Sequence, residues 1–193
     1  MAVEHTTITD PYIHEPKGVS TASDRQIYVA DGAGSGDWKS SHLNVHGDIV
    51  VIDSSTATVV PAAADATLST DSDYRKVTAG WTAGHVEGIT FNVDEIVVPV
   101  DGGYEVQFWA DILVPKNNNF VAIKYAINDT TPYSLRKIVS QSTTVSDYLN
   151  MFGAGIVTPL SAGDTISIYI AATQADSLIV QEAGLLVKLL DVL

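Results

Sequence analysis

The sequence predicts an all-β protein. An antiparallel sandwich is expected over residues 77–193, preceded by an extended N-terminal arm over 1–60 and a linker over 61–76. Three observations lead there. Apolar and polar residues alternate along several segments of the second half, at the period of a strand with one face in a core. Turn signals separate those segments at roughly 8–15-residue spacing. The first 76 residues instead carry short, scattered apolar runs, too few to bury a core of their own.

In chain order, "ITDPYIHEPKGVSTASDRQ" (8–26) mixes prolines, glycine, serines and threonines without period. "IYVA" (27–30) is a short apolar run. "DGAGSGDW" (31–38) then places three glycines within five positions. A dinucleotide loop would need a third glycine where Asp37 stands, and an amphipathic helix after it. The following "WKSSHLNVHGDI" has no helical stripe, and no Lys-Ser/Thr pair follows at the Walker spacing. The glycines therefore read as a connector. "GDIVVID" (47–53) and "TATVV" (56–60) are candidate strands, and "PAAADATLSTDSD" (61–73) is a small-residue linker.

The second half is regular. In "GYEVQFWADILVP" (103–115), Tyr104, Val106, Phe108, Ala110, Ile112 and Val114 face one way, and Glu105, Gln107, Trp109 and Asp111 the other. "FVAIKYAIND" repeats the pattern with Val121, Ile123, Tyr125 and Ile127, and "GDTISIYIAAT" repeats it with Ile166, Ile168 and Ile170. "SLIVQEAGLLVKLLDVL" closes the chain with an apolar run interrupted at Gly184. "VDGG", "PKNNN", "NDTTP", "LSAGD" and "TQADS" supply the turns.

Composition narrows the function. The net charge is −13, spread as −6 over residues 1–76 and −7 over 77–193. No basic patch is available to release counterions, which reads against nucleic acid and anionic membranes as partners. There is no cysteine, hence no disulfide or thiolate chemistry. No stretch of about 18 apolar residues occurs, and the N-terminus has no apolar core of a secretory signal. Charged residues are 17% of the chain, against about 25% in an average protein. A short chain with so few charges is expected to bury apolar surface against another copy or another protein.

Two resemblances follow from particular residues. Over 77–193, "GITFNVDEIVVPVDGGYEVQFWADI", "LSAGDTISIYI" (Leu160, Gly163, Asp164, Ile166, Ile168) and "EAGLLVKLL" resemble, in order and spacing, the jelly roll of tumour necrosis factor and the complement globular heads. That resemblance implies a homotrimer with an aromatic and aliphatic seam on its axis. Residues 13–38 resemble the N-terminal signature of tailed-bacteriophage virion proteins, in head fibres and related decorations. His14, Pro16, Lys17, Gly18, Ala22, Gln26, Val29, Ala30, Asp31, Gly32, Gly34, Gly36 and Trp38 stand in matching places, and Arg25 replaces a frequent glycine. This implies a location on the capsid surface of the virion, with the major capsid protein as partner.

The expected roles follow. Ile13, His14, Pro16, Lys17, Gly18 and Trp38 are candidates for capsid attachment, and Trp109, Tyr125 and Tyr148 for the trimer interface. Trp109 is also placed to stack on a sugar; because jelly rolls of the resembled kind often bind glycans, a tail-fibre or tail-tip protein that binds a host-surface glycan is the alternative. His42 and His46 lie four apart, but in a loop or strand context that favours locally bonded histidines over a metal site. "DSD" (71–73) opens like a calcium loop and lacks the later glycine and glutamate. A calcium ion among acidic chains on a trimer axis is an analogy only. Ser35 lies between Gly34 and Gly36 without the spacing of a nucleophile elbow, and Asp94 and Glu95 point to opposite faces of a strand. Neither an enzyme nor a cofactor is expected.

Overall fold

The structure is a computed structural model that describes residues 26–30, 36–40, 45–78, 80–129, 131–132 and 137–192. The chain divides into two units, Met1–Leu43 and Asn44–Leu193. In the first, β1 (Gln26–Ala30) and β2 (Gly36–Ser40) form an antiparallel hairpin. The arm expected from sequence is thus paired with itself over these residues. Tyr28 and Trp38 are register partners, with ring centroids 5.4 Å apart and planes at 66°. That edge-to-face geometry suits two aromatic quadrupoles.

The second unit is a sandwich of two antiparallel sheets. Its strands are β3 (His46–Val51), β4 (Ala57–Val60), β5 (Arg75–Lys76), β6 (Thr82–Glu87), β7 (Thr90–Asn92), β8 (Glu95–Val97), β9 (Gly102–Val114), β10 (Phe120–Ile127), β11 (Thr131–Pro132), β12 (Ile138–Gln141), β13 (Asp147–Leu160), β14 (Thr165–Ala172) and β15 (Asp176–Val192). One sheet runs β13-β9-β15-β3-β6, with β4 also on β15; it is called here the β9 sheet. The other runs β11-β10-β14-β8-β7, with β12 on β10 and β5 on β14; it is the β10 sheet.

The core lies between them and follows the alternation. Tyr104, Val106, Phe108 and Ile112 of β9 meet Val121, Ile123 and Tyr125 of β10 and Ile166, Ile168 and Ile170 of β14. Side chains at every second position of a strand share a face, so one run of alternation supplies a whole wall of the core. The "LSAGD" turn is built as its residues suggest. Gly163 takes a φ of +90°, a conformation open to glycine. Asp164 accepts the Ser161 backbone N–H at 2.8 Å, and the Asn128 side-chain amide donates to Asp164 at 2.7 Å.

The boundary expected at residue 77 falls earlier. β3 and β4, which the sequence reading put in the arm, pair with β15 inside the sandwich. The supposed linker, 61–76, joins the β10 sheet at both ends, by Ala62 to Ala172 and by β5 to β14, and between them crosses its outer face. Leu68 and Tyr74 are buried there against Ala122 and Ala171. Small outward residues on β10 and β14 leave room for this strap. The sequence hid it because its own composition is small and polar, while its two large anchors stand six residues apart.

Lys124 completes the strap. Its side chain is 0% exposed, its Nζ lies 2.9 Å from Asp71 Oδ1, and it sits 3.9 Å from the centre of the Tyr74 ring. A buried ammonium needs a counter-charge, and a cation above an aromatic face adds attraction.

Candidate functional site

The two outer faces differ. The strap covers Ala122 and Ala171 of the β10 sheet and leaves Phe120 and Val139 partly exposed, while the β9 sheet keeps three aromatic side chains in the open. Phe152 is 61% exposed, Tyr148 54% and Trp109 37%, with Val157 and Leu190 also exposed. Register puts these residues on one face. Phe152 pairs with Trp109, Tyr148 with Leu113 and Val157 with Glu105, all across β13 and β9. Trp109 pairs in turn with Gly184 of β15. A depression of about 270 Å³ opens there, lined by Asp48, Val50, Gln107, Trp109, Phe152 and Leu186 among others. Polar groups surround the aromatic centre: the Gln107 amide donates to Glu105 at 3.0 Å, and Lys188 pairs in register with both Glu105 and His46. An apolar patch ringed by polar residues is the usual form of a protein-binding surface.

The sequence candidates separate on this geometry. Trp109 and Tyr148 are on the open face. Tyr125 is not: it is 0% exposed, with its ring 6.0 Å from Phe108 in the core. Its position in the β10 alternation, on the face of Val121 and Ile123, decides this, so Tyr125 is withdrawn as an interface residue. Phe152, at the centre of the face, was missed. β13 runs "DYLNMFGAGIVTPL" and alternates from Tyr148 to Gly153, so the period that puts Phe152 on the face of Tyr148 was the signal that could have found it; the register shift comes only after Gly153. Trp38 packs on Tyr28 within the hairpin. Ile13, His14, Pro16, Lys17 and Gly18, and also His42, lie outside the described residues.

Among the polar clusters of the described residues, two gather charged or metal-ligating groups. Lys76 is held by Asp129 at 2.8 Å, Glu95 at 3.0 Å and Asp94 at 3.1 Å. Burial pulls its ammonium down, but the three carboxylates more than reverse this and hold it above the usual lysine range. The same pairing, with Ser167, outweighs burial at Asp129 and lowers that carboxyl. Asp94 and Glu95 thus both reach one cation although they are adjacent in sequence. Tyr169, desolvated and beside Asp129, is pushed up to about 12. The second cluster is His46, His85 and Glu87, whose donor atoms all lie within 4.8 Å of one another. His46 was legible as a candidate ligand, but with His42 rather than with His85 of β6. A long-range strand pairing makes the actual group.

No family model and no curated protein matches the sequence. Solved structures do. The globular domain of zebrafish complement 1qA protein superposes with a TM-score of 0.52 at 16% identity, covering 78% of this chain and all of that one. The Eiger TNF of S. frugiperda superposes with a TM-score of 0.51 at 16% identity, covering 77% of this chain and 94% of that one. At such identity the likeness speaks of fold alone. The sequence thus folds as an all-β, antiparallel jelly roll of the kind found in tumour necrosis factor and complement globular domains.

Proposed function

We propose that this chain is a non-enzymatic structural protein of a tailed-bacteriophage virion. In this reading it is a homotrimeric capsid decoration or head fibre, held on the capsid by its N-terminal segment and displaying the jelly roll outward. The observation that carries it is the asymmetry of the sandwich. One outer face is covered at its centre by the chain's own strap, and the other presents the aromatic cluster of Trp109, Phe152 and Tyr148, with Val157, to solvent. A chain with 17% charged residues gains by covering that second face with copies of itself. The order of jelly-roll motifs over 77–193 supports three copies. The signature over 13–38, ending at Trp38, supports the virion and an attachment role for the N-terminus. Three arms on one trimer would multiply a weak attachment by effective concentration.

A second reading, a tail-fibre or tail-tip protein that binds a host glycan, is favoured by one feature. Trp109 is partly exposed beside Gln107 and Asp48 at the depression, a setting in which an indole stacks on a sugar ring. The discriminating experiment removes residues 1–43 and measures binding to tailed-phage particles that lack the protein. Loss of binding by a head that still associates supports capsid attachment. Undiminished binding refutes it, and retention of the protein at the tail by electron microscopy moves the assignment to the second reading.

A further inference from the structure

We propose that His46, His85 and Glu87 form a three-ligand site for zinc, or a divalent first-row metal of similar coordination habit, at the β3–β6 edge of the β9 sheet. His46 and Glu87 are register partners, so their side chains leave the same face of the ladder. His85 stands two residues before Glu87 on β6 and returns to that face. The two imidazoles are 5.2 Å apart between centroids, inclined at 32°. His46 and Glu87 are half-buried and His85 is exposed.

The local backbone sets this arrangement. Gly47 pairs with Val86 and Ile49 with Ala83, so Gly84 and His85 together oppose Asp48. Two residues facing one is a β-bulge, which re-aims the side chains of the bulged strand. Asp48 pins it: its Oδ1 accepts the His85 backbone N–H at 3.0 Å. Its carboxylate also fills the space a side chain at position 84 would need, because a Cβ there would stand 2.7 Å from the Asp48 Cγ. Only glycine permits that approach. His85 is therefore presented by a fixed backbone, which lowers the ordering cost of ligation.

Two imidazoles and a carboxylate are the donor set of open zinc sites, with the fourth position left to water or another ligand. Bonds of about 2.0–2.1 Å place tetrahedral donors about 3.3 Å apart. The present spacing closes to that by rotation of side chains that are not packed in the core. Asp48 adds a nearby negative charge. Lys188, the register partner of His46 on β15, is exposed and long enough to turn its ammonium away. A bound metal clips β6 onto β3 and stiffens an outer strand that would otherwise offer an edge to other chains.

The test titrates untagged, metal-stripped full chain with zinc chloride by calorimetry and with cobalt(II) by visible absorption. The expected result is one ion per chain with a Kd on the order of 10 μM or tighter, the cobalt spectrum of a four-coordinate ion, and a rise in Tm on adding zinc. His85→Ala, an exposed position that should fold normally, should weaken zinc on the order of tenfold or more and abolish the Tm rise. His46→Gln should do the same where His46→Ala folds poorly. Absence of zinc binding at about 100 μM, or binding of wild-type strength in His85→Ala, overturns the proposal; the latter would place the metal on other histidines.

Discussion

The indole of Trp109 lies across the backbone of its register partner, Gly184, on the open face of the β9 sheet. A Cβ at position 184 would stand 2.7 Å from the ring's Cε2. Glycine weakens a strand interior, but here it lets an aromatic ring lie flat and shield the ladder. Gly184→Ala should lift the indole and change the shape of the face. The protomer gains a little strand propensity, while self-association should weaken by about 1–2 kcal/mol through overpacking. Sedimentation equilibrium over a concentration series measures it, and an unchanged dissociation constant would count against the face as an interface.

The strap gives a prediction about the protomer alone. Asp71→Ala leaves the Lys124 ammonium, 0% exposed, with only the Tyr74 ring and nearby dipoles. The loss should be about 2 kcal/mol, below the full cost of orphaning a buried charge because Asp71 itself is partly solvated. Lys124→Met removes both the charge and its need for a partner, and should stay within about 1 kcal/mol of wild type. Urea melts of the two variants check the order; a larger loss for Lys124→Met would contradict the account.

Acid should loosen the Lys76 cluster. Burial tends to raise the Asp129 carboxyl, but Lys76 and Ser167 more than offset this and lower it in the folded state. A carboxyl whose folded value lies below its unfolded value of about 3.9 stabilises the fold above that value. The contribution is lost as pH falls through the folded value. Asp147, held by the backbone and side chain of Thr143, is lowered in the same sense. Tm should therefore decline below about pH 4, and Asp129→Asn should show a smaller acid-induced decline than wild type. Thermal melts from neutral pH to about pH 2.5 measure both; equal declines would sink the assignment.

The sandwich was legible because burial on one face forces a period of two. β9, β10 and β14 each state it, and the residues expected inward line the core, with Ile127 partly buried at its margin, although the strap and its neighbours bury several outward residues of β10 and β14 as well. What period could not show is what covers an outer face. Leu68 and Tyr74 sit in a small-residue stretch, and Lys124 reads as an ordinary outward lysine until Asp71 and Tyr74 close over it. Tyr125 is the opposite case: tyrosine is at home in a core or at an interface, but its place in the β10 alternation beside Val121 and Ile123 already put it in the core. The His46–His85–Glu87 group brings His46 to residues 39 and 41 positions away through β3–β6 pairing and a bulge, which no local pattern encodes.

The N-terminal segment carries a prediction about attachment. With six acidic and three basic residues, residues 1–43 carry a net charge of −3, so on the proposed capsid attachment backbone pairing and apolar anchors, rather than attraction to an acidic shell, would hold the segment. Binding to particles should persist at about 1 M salt, where the Debye length is about 3 Å. Trp38→Ala, which also removes the ring that packs on Tyr28, should weaken it by roughly 2 kcal/mol or more. Release by salt alone, with no effect of Trp38→Ala, would mean that charge holds the segment.

If copies of this chain meet through the open face of the β9 sheet, the mass in solution reports it. Sedimentation equilibrium at micromolar concentration should return three times the chain mass of 20.5 kDa for the wild type. Phe152→Glu, at the exposed centre of the face, should return 20.5 kDa with the circular dichroism of a folded all-β protein. A wild type at the single-chain mass, or a Phe152→Glu variant that stays trimeric, would contradict the account.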